Sequence, residues 1–108
     1  MIDGTEFGSV TVDGKTYGHD IWIFADGTIK PRTKSHDFTA GELELLAMAG
    51  PEVVVVGTGQ SGCVTVSEEA KKYAQEHGIE LVCAETPEAI KKFNEAAGKK
   101  AAAIHVTC

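Results

Sequence analysis

The chain has 108 residues, 43% hydrophobic and 24% charged, with a formal net charge of −6. That length supports one domain with one core, and the composition is that of an ordinary globular protein. The acidic balance argues against nucleic acid as a partner, because phosphate contacts need clustered Lys and Arg, and no apolar run is long enough to span a bilayer.

The first third reads as β-strands: Phe7 to Val12, Thr16 to Phe24, and Thr28 to Arg32. Val10 and Val12 alternate with Thr11, and Ile21 and Ile23 flank Trp22, the period of a strand with one buried face. Asp13-Gly14 and Asp26-Gly27 are both signals for type I′ hairpin turns, which need positive φ at their central positions. Pro31 ends the third strand or puts it at an edge.

The pattern then changes to the period of a helix. Thr39 with Glu42 is a capping box, Leu43, Leu46 and Ala47 fall at helical spacing, and Gly50-Pro51 stops the helix. Val53 to Val56 is a continuous apolar strand, the kind buried on both faces. After a glycine-rich loop, Thr65 with Glu68 offers a second capping box, with Ser67 a competing cap, and Gly78 ends that helix. Ile79 to Ala84 is the next strand. Thr86-Pro87 predicts a helix start, with Thr as cap and Pro at the first helical position. Its apolar stripe is Ile90, Phe93 and Ala97, with Gly98 at the stop. Ala102 to Val106 is the last strand. The expected fold is a single α/β domain over residues 1–108: an antiparallel β-meander followed by a parallel β-α-β-α-β unit, in one mixed sheet or two abutting sheets.

The loop Gly57-Thr58-Gly59-Gln60-Ser61-Gly62 matches G-x-G-x-x-G and follows a strand. A dinucleotide site also needs the helix to begin inside the motif, so that its N-terminus faces the pyrophosphate. Here Cys63-Val64-Thr65-Val66 intervenes, so no NAD site and no other cofactor is assigned. Two uses remain: a cradle of backbone N–H groups for a small anion or polar ligand, or a tight chain reversal with no ligand. In open α/β sheets crevices form at the carboxyl ends of parallel strands. Three such ends occur, at Gly57 to Gly62, at Glu85-Thr86, and at Thr107-Cys108. The candidate ligand-binding residues are therefore Gly57, Thr58, Gly59, Gln60, Ser61, Gly62, Glu85 and Thr86, with Arg32 as a possible cation.

No catalytic residues and no metal site are assigned. Arg32, Lys34 and His36 form a small basic cluster, read as a solvated loop. His105 and Cys108 would face opposite ways on a strand and could not chelate one metal directly, so His105 reads as a packed or hydrogen-bonded histidine. Cys83 reads as a small hydrophobe in an apolar strand. Trp22 reads as a core residue. Three cysteines make an odd count without a disulfide framework, and Met1-Ile2-Asp3-Gly4 lacks a basic-then-apolar signal pattern. Both point to the cytoplasm. An edge strand of the meander could pair with a second copy, so a homo-oligomer is open.

These segments together resemble a small family of archaeal and bacterial proteins of unknown function. The resemblance rests on Phe7-Gly8-Ser9-Val10, Asp20-Ile21, Asp26-Gly27, Pro31-Arg32, Val55-Val56-Gly57-Thr58-Gly59, Glu88-Ala89-Ile90, Phe93-Asn94-Glu95, and the run Ala103 to Cys108. Eukaryotic relatives of that family include mitochondrial complex I assembly factor 3 and an adipogenesis-associated domain protein. The resemblance covers nearly the whole chain and is closest to archaeal members ending in Ile-His-Val-Thr-Cys. It implies an α/β domain with a β-rich N-terminal part. It brings no catalytic motif, and through the mitochondrial relatives it implies assembly by protein contacts. Two functions are therefore expected: a non-enzymatic interaction or assembly domain, or a small-molecule or anion-binding protein, with or without enzyme activity, using the glycine loop.

Overall fold

Period-two alternation builds the first part of the chain in the computed structural model, which describes all 108 residues. Strands β1 (Ile2–Glu6), β2 (Ser9–Val12) and β3 (Lys15–Tyr17) form an antiparallel three-stranded sheet. Ile2, Val10 and Val12 point inward from it. Asp13 (φ 48°) and Gly14 (φ 82°) both take positive φ between β2 and β3, as a type I′ turn requires. The expected strand starting at Phe7 begins later, because Phe7-Gly8 is the turn that pairs β2 with β1.

The expected strand Thr16 to Phe24 is broken. Residues Gly18 to Asp20 separate β3 from β4 (Ile21–Ile23), which lies in a different sheet. β5 (Ile29–Pro31) pairs antiparallel with β4 and ends at the edge, where Pro31 leaves no ladder hydrogen bond unmade. The turn between them is not type I′. Only Gly27 (φ 91°) has positive φ, and Gly27 N–H donates to Phe24 O at 2.9 Å, so an ordinary turn is followed by a left-handed glycine.

A two-residue strand, β6 (Asp37–Phe38), leads into α1 (Ala40–Ala47). Thr39 caps this helix as expected, its hydroxyl accepting from Glu42 N–H at 3.2 Å. β7 (Val53–Gly57) follows. β8 (Thr65–Val66) pairs parallel with β6, which occupies Thr65 and leaves the cap of α2 (Glu68–Glu76) to Ser67, accepting from Ala70 N–H at 3.1 Å. β9 (Glu80–Ala84), α3 (Thr86–Glu95) and β10 (Lys100–Ile104) complete the chain. Thr86 is inside α3 and not its cap. Glu85 is the N-cap residue, without a side-chain hydrogen bond.

The main sheet has five strands in the order β5-β4-β10-β7-β9. β10, β7 and β9 are parallel, and β4 joins β10 antiparallel, so the sheet is mixed. The chain leaves β7 toward β9 on one side and returns past it to β10 on the other. That reversal lies between β7 and β10 and is the switch point at which open sheets form a crevice. β7 is buried on both faces, as its valine run predicts. Val55 packs with Ile2, Ile21, Ile23, Phe93 and Ile104 under α3 and the three-stranded sheet. Val54 and Val56 pack with Phe38, Leu43, Leu46, Ala70 and Ala74 under α1 and α2. No helix is long and apolar enough to cross a membrane.

Candidate functional site

The register of β4 on β10 decides what meets at the switch point. Ile104 lies opposite Ile21, so Asp20 and His105, each one residue further on, come together. His105 Nδ1 lies 2.7 Å from Asp20 Oδ2, and Val106 N–H donates to Asp20 Oδ1 at 3.1 Å. A carboxylate only accepts, so Nδ1 carries a proton toward Asp20. The Thr107 hydroxyl sits 3.2 Å from Nε2. His105 is therefore the buried, hydrogen-bonded histidine expected.

Arg32 is not part of a solvated loop. It is only 5% exposed, and its guanidinium lies between two carboxylates. Nη1 donates to Asp20 Oδ2 at 2.8 Å and to Ser35 O at 3.3 Å. Nη2 donates to Glu42 Oε1 at 3.2 Å and to Asp37 O at 3.2 Å, and Nε donates to Glu42 Oε2. Every N–H of the fork has a partner, which a lysine could not reproduce. Burial on its own would lower the Arg32 pKa, but the hydrogen bonds and charges of Glu42 and Asp20 outweigh it and hold the pKa above the ordinary value. Glu42 also accepts from Trp22 Nε1–H at 2.8 Å. Trp22 packs against the second core cluster and is half-buried with its indole N–H satisfied.

The glycine loop faces this network from the end of β7. Its N–H groups point at the chain itself. Thr58 N–H donates to Ala84 O at 2.8 Å, Gln60 N–H to Thr107 O at 2.8 Å, and Ser61 N–H to Cys108 O at 2.7 Å. Gly62 N–H donates to Gly59 O at 3.4 Å. Gly59 N–H donates to the Thr86 hydroxyl at 3.0 Å, and that hydroxyl donates onward to His105 O at 2.6 Å. Gly59 has φ +109°, and a Cβ there would collide with the main-chain carbonyl of Cys108. Gly57 is tight too, with a Cβ only 3.0 Å from Thr86 Oγ1. Glu85 packs against Gly62. The structure thus brings the loop, Glu85, Thr86 and the segment after β10 together, with that segment filling the crevice. Arg32 belongs to the buried network behind it.

β10 ends at Ile104, so strand alternation does not govern His105 and Cys108. This corrects the expectation that they face opposite ways. His36 comes in from the loop before β6, its carbonyl accepting from Thr65 N–H at 2.8 Å. The ligand atoms of His36, His105 and Cys108 all lie within 4.8 Å of one another. The His36 and His105 rings meet edge to face, with centroids 5.5 Å apart. The Cys63 thiol stands beside Cys108, whose hydrogen bonding is the main cause of its raised pKa. Spacing along the chain gave no sign of this cluster, because His36 is brought in through the β6–β8 pairing.

A family model described as a protein of unknown function (DUF498/DUF598) matches residues 2–106. The chain belongs to this family. Among solved structures, the conserved hypothetical protein PH1505 from Pyrococcus horikoshii OT3 is 34% identical, with a TM-score of 0.89 over 100% of this chain and 99% of that one. The protein MT938 is 33% identical, with a TM-score of 0.85 over 100% and 98%. A Mth938-like domain from Bordetella pertussis, at 16% identity and a TM-score of 0.76 over 98% and 85%, shares the fold. Among curated proteins none matches. The family likeness agrees with the fold built above and indicates no specific function.

Proposed function

We infer that the chain is a non-enzymatic interaction domain of the cytoplasm, and that its contact face is the end of the molecule formed by the β1–β2 turn and the glycine loop. Phe7 carries this reading. It is 72% exposed, yet its backbone is pinned on both sides. Gly8 N–H donates to Val106 O at 2.8 Å, and Gln60 Nε2 donates to Glu6 O at 3.2 Å and Thr5 Oγ1 at 3.0 Å. An aromatic ring presented from fixed backbone loses little entropy on docking, which is what an interface anchor requires. The loop donors, already taken by Thr107, Cys108 and Thr86 oxygens, support a structural role for Gly57 to Gly62 over an anion cradle. Cys63, Cys83 and Cys108, standing as free thiols, support a reducing compartment. The mitochondrial assembly factor among the eukaryotic relatives that the sequence resemblance implies points the same way.

A photoreactive phenylalanine analogue at position 7, expressed in the native cells, tests this. One discrete crosslinked species is expected, whether with another protein or with a second copy, and the same probe at Lys30 should not give it. No discrete species at position 7 would overturn the reading. So would an anion that raises Tm and shifts the amide resonances of Gly57 to Gly62 in a two-dimensional NMR spectrum of the wild type, which would return the loop, Glu85, Thr86 and Arg32 to the role of ligand site.

A further inference from the structure

We propose that His36, His105 and Cys108 form a binding site for a single divalent d-block cation of the zinc type. The donor set decides the class. Two imidazoles and one thiolate suit zinc and its borderline-soft neighbours, whereas magnesium and calcium take oxygen ligands.

Each ligand is held by a separate part of the fold. His105 is fixed by Asp20, and a carboxylate on the far ring nitrogen is the support that orients a metal-binding histidine and raises its basicity. Asp20 is itself held by Arg32 and by Val106 N–H, so this backing is complete without a metal. Cys108 is fixed through its main-chain oxygen, which takes N–H groups from Ser61 at 2.7 Å and Cys63 at 3.4 Å. His36 is anchored at its carbonyl, while its side chain is on the exposed side and can turn. The site is thus reachable from solvent on one side and rigid on the other.

The distances fit with a small closure. A tetrahedral zinc, with Zn–N of about 2.0 Å and Zn–S of about 2.3 Å, needs ligand atoms roughly 3.3–3.7 Å apart. Cys108 Sγ already lies 3.9 Å from His36 Nε2. The widest spacing of 4.8 Å closes by rotation of His36 and of the Cys108 thiol. Thr107 Oγ1 gives up its contact with His105 Nε2 and turns to solvent. Binding converts the Cys108 thiol to thiolate and releases its proton to water. Three protein ligands leave a fourth position for water, as in an open zinc site.

Cobalt(II) titration of the full chain under reducing conditions tests the proposal. One equivalent should bind, with a thiolate-to-cobalt charge-transfer band in the near ultraviolet and visible bands of tetrahedral intensity. Zinc should displace the cobalt and abolish both. Cys108→Ser should lose the charge-transfer band, and His36→Ala should weaken binding at least tenfold. His36 is exposed, so that variant keeps its fold, which circular dichroism checks. Cys83→Ser should leave the spectrum unchanged. A charge-transfer band that survives in Cys108→Ser, an affinity unmoved in His36→Ala, or no binding at micromolar cobalt would each overturn the site.

Discussion

Asp20 and His105 are 85 positions apart in the chain and 2.7 Å apart in space, carboxylate to imidazole. The contact follows from the pairing of β4 with β10 and fastens the β-rich N-terminal half to the end of the parallel unit. It is one link of a hydrogen-bonded chain that runs inward from the half-buried Trp22 and Glu42 through Arg32 and Asp20 to His105. No buried side-chain nitrogen or oxygen lacks a partner. Such a network specifies one arrangement of the loops, because a partly broken version is worse than none.

Arg32→Met should test that statement most directly. The substitution keeps much of the volume but leaves the buried Asp20 and the half-buried Glu42 without their cation. Breaking a buried pair from one side costs roughly 3–5 kcal/mol. The midpoint of urea unfolding should fall accordingly, with little change in slope. Arg32→Lys should recover only part of the loss, since an ammonium cannot serve both carboxylates and the Ser35 and Asp37 carbonyls at once. A variant as stable as the wild type would show that the network contributes nothing net.

Much of this architecture was legible from local pattern. The valine run, the Thr39 cap and the Asp13-Gly14 turn each act through neighbours a few residues away, and each appears where the sequence put it. The site was less legible because it depends on pairing between distant segments. Arg32 looked like surface charge until Asp20 and Glu42 were brought to it, at separations of 12 and 10 residues. Thr86 looked like a helix cap because its local signal is that of one. Its hydroxyl instead bridges Gly59 and His105, 27 and 19 positions away. β6 and β8 are two residues each, too short for any period to show.

The glycines separate into those the fold requires and those it does not. Gly59→Ala combines a strained φ with a collision against the Cys108 carbonyl and a Cβ 2.8 Å from His105 Cδ2. We expect a loss of about 2–4 kcal/mol, with the segment after β10 dislodged. Gly41→Ala is the contrast. It lies in α1, takes no positive φ, and its nearest neighbour, Thr39 Oγ1, is 3.8 Å away. Its helix propensity should stabilise the chain by about 0.5–1 kcal/mol. Thermal melts of the two variants should move in opposite directions.

Cys83 should alkylate more slowly than a free cysteine. It is an exposed residue of the edge strand β9 and not the interior hydrophobe its strand suggested. Burial of the thiol nonetheless pushes its pKa up, and Lys71 only partly offsets this. A raised pKa means less thiolate at a given pH, so the rate at pH 8 falls and keeps rising beyond the usual thiol range. Lys71→Gln removes the offset and should slow the reaction further. Peptide mass mapping of iodoacetamide adducts over time resolves Cys83 from Cys63 and Cys108. A rate equal to that of a model peptide would contradict the shift.

Thr86→Val isolates one hydroxyl at nearly constant shape. Thr86 is fully buried, and its oxygen both accepts from Gly59 N–H and donates to His105 O. Valine fills the space but leaves a buried donor and a buried acceptor unpaired. Each unpaired group costs about 1–3 kcal/mol, so a total of roughly 2–6 kcal/mol is expected. Thr86→Ser keeps the hydroxyl and loses only a methyl, at about 1 kcal/mol. The order wild type, serine, valine in urea midpoint would show that the hydroxyl, and not the packing, fastens the glycine loop to the end of β10. The reverse order of serine and valine would assign the stabilisation to the buried methyl.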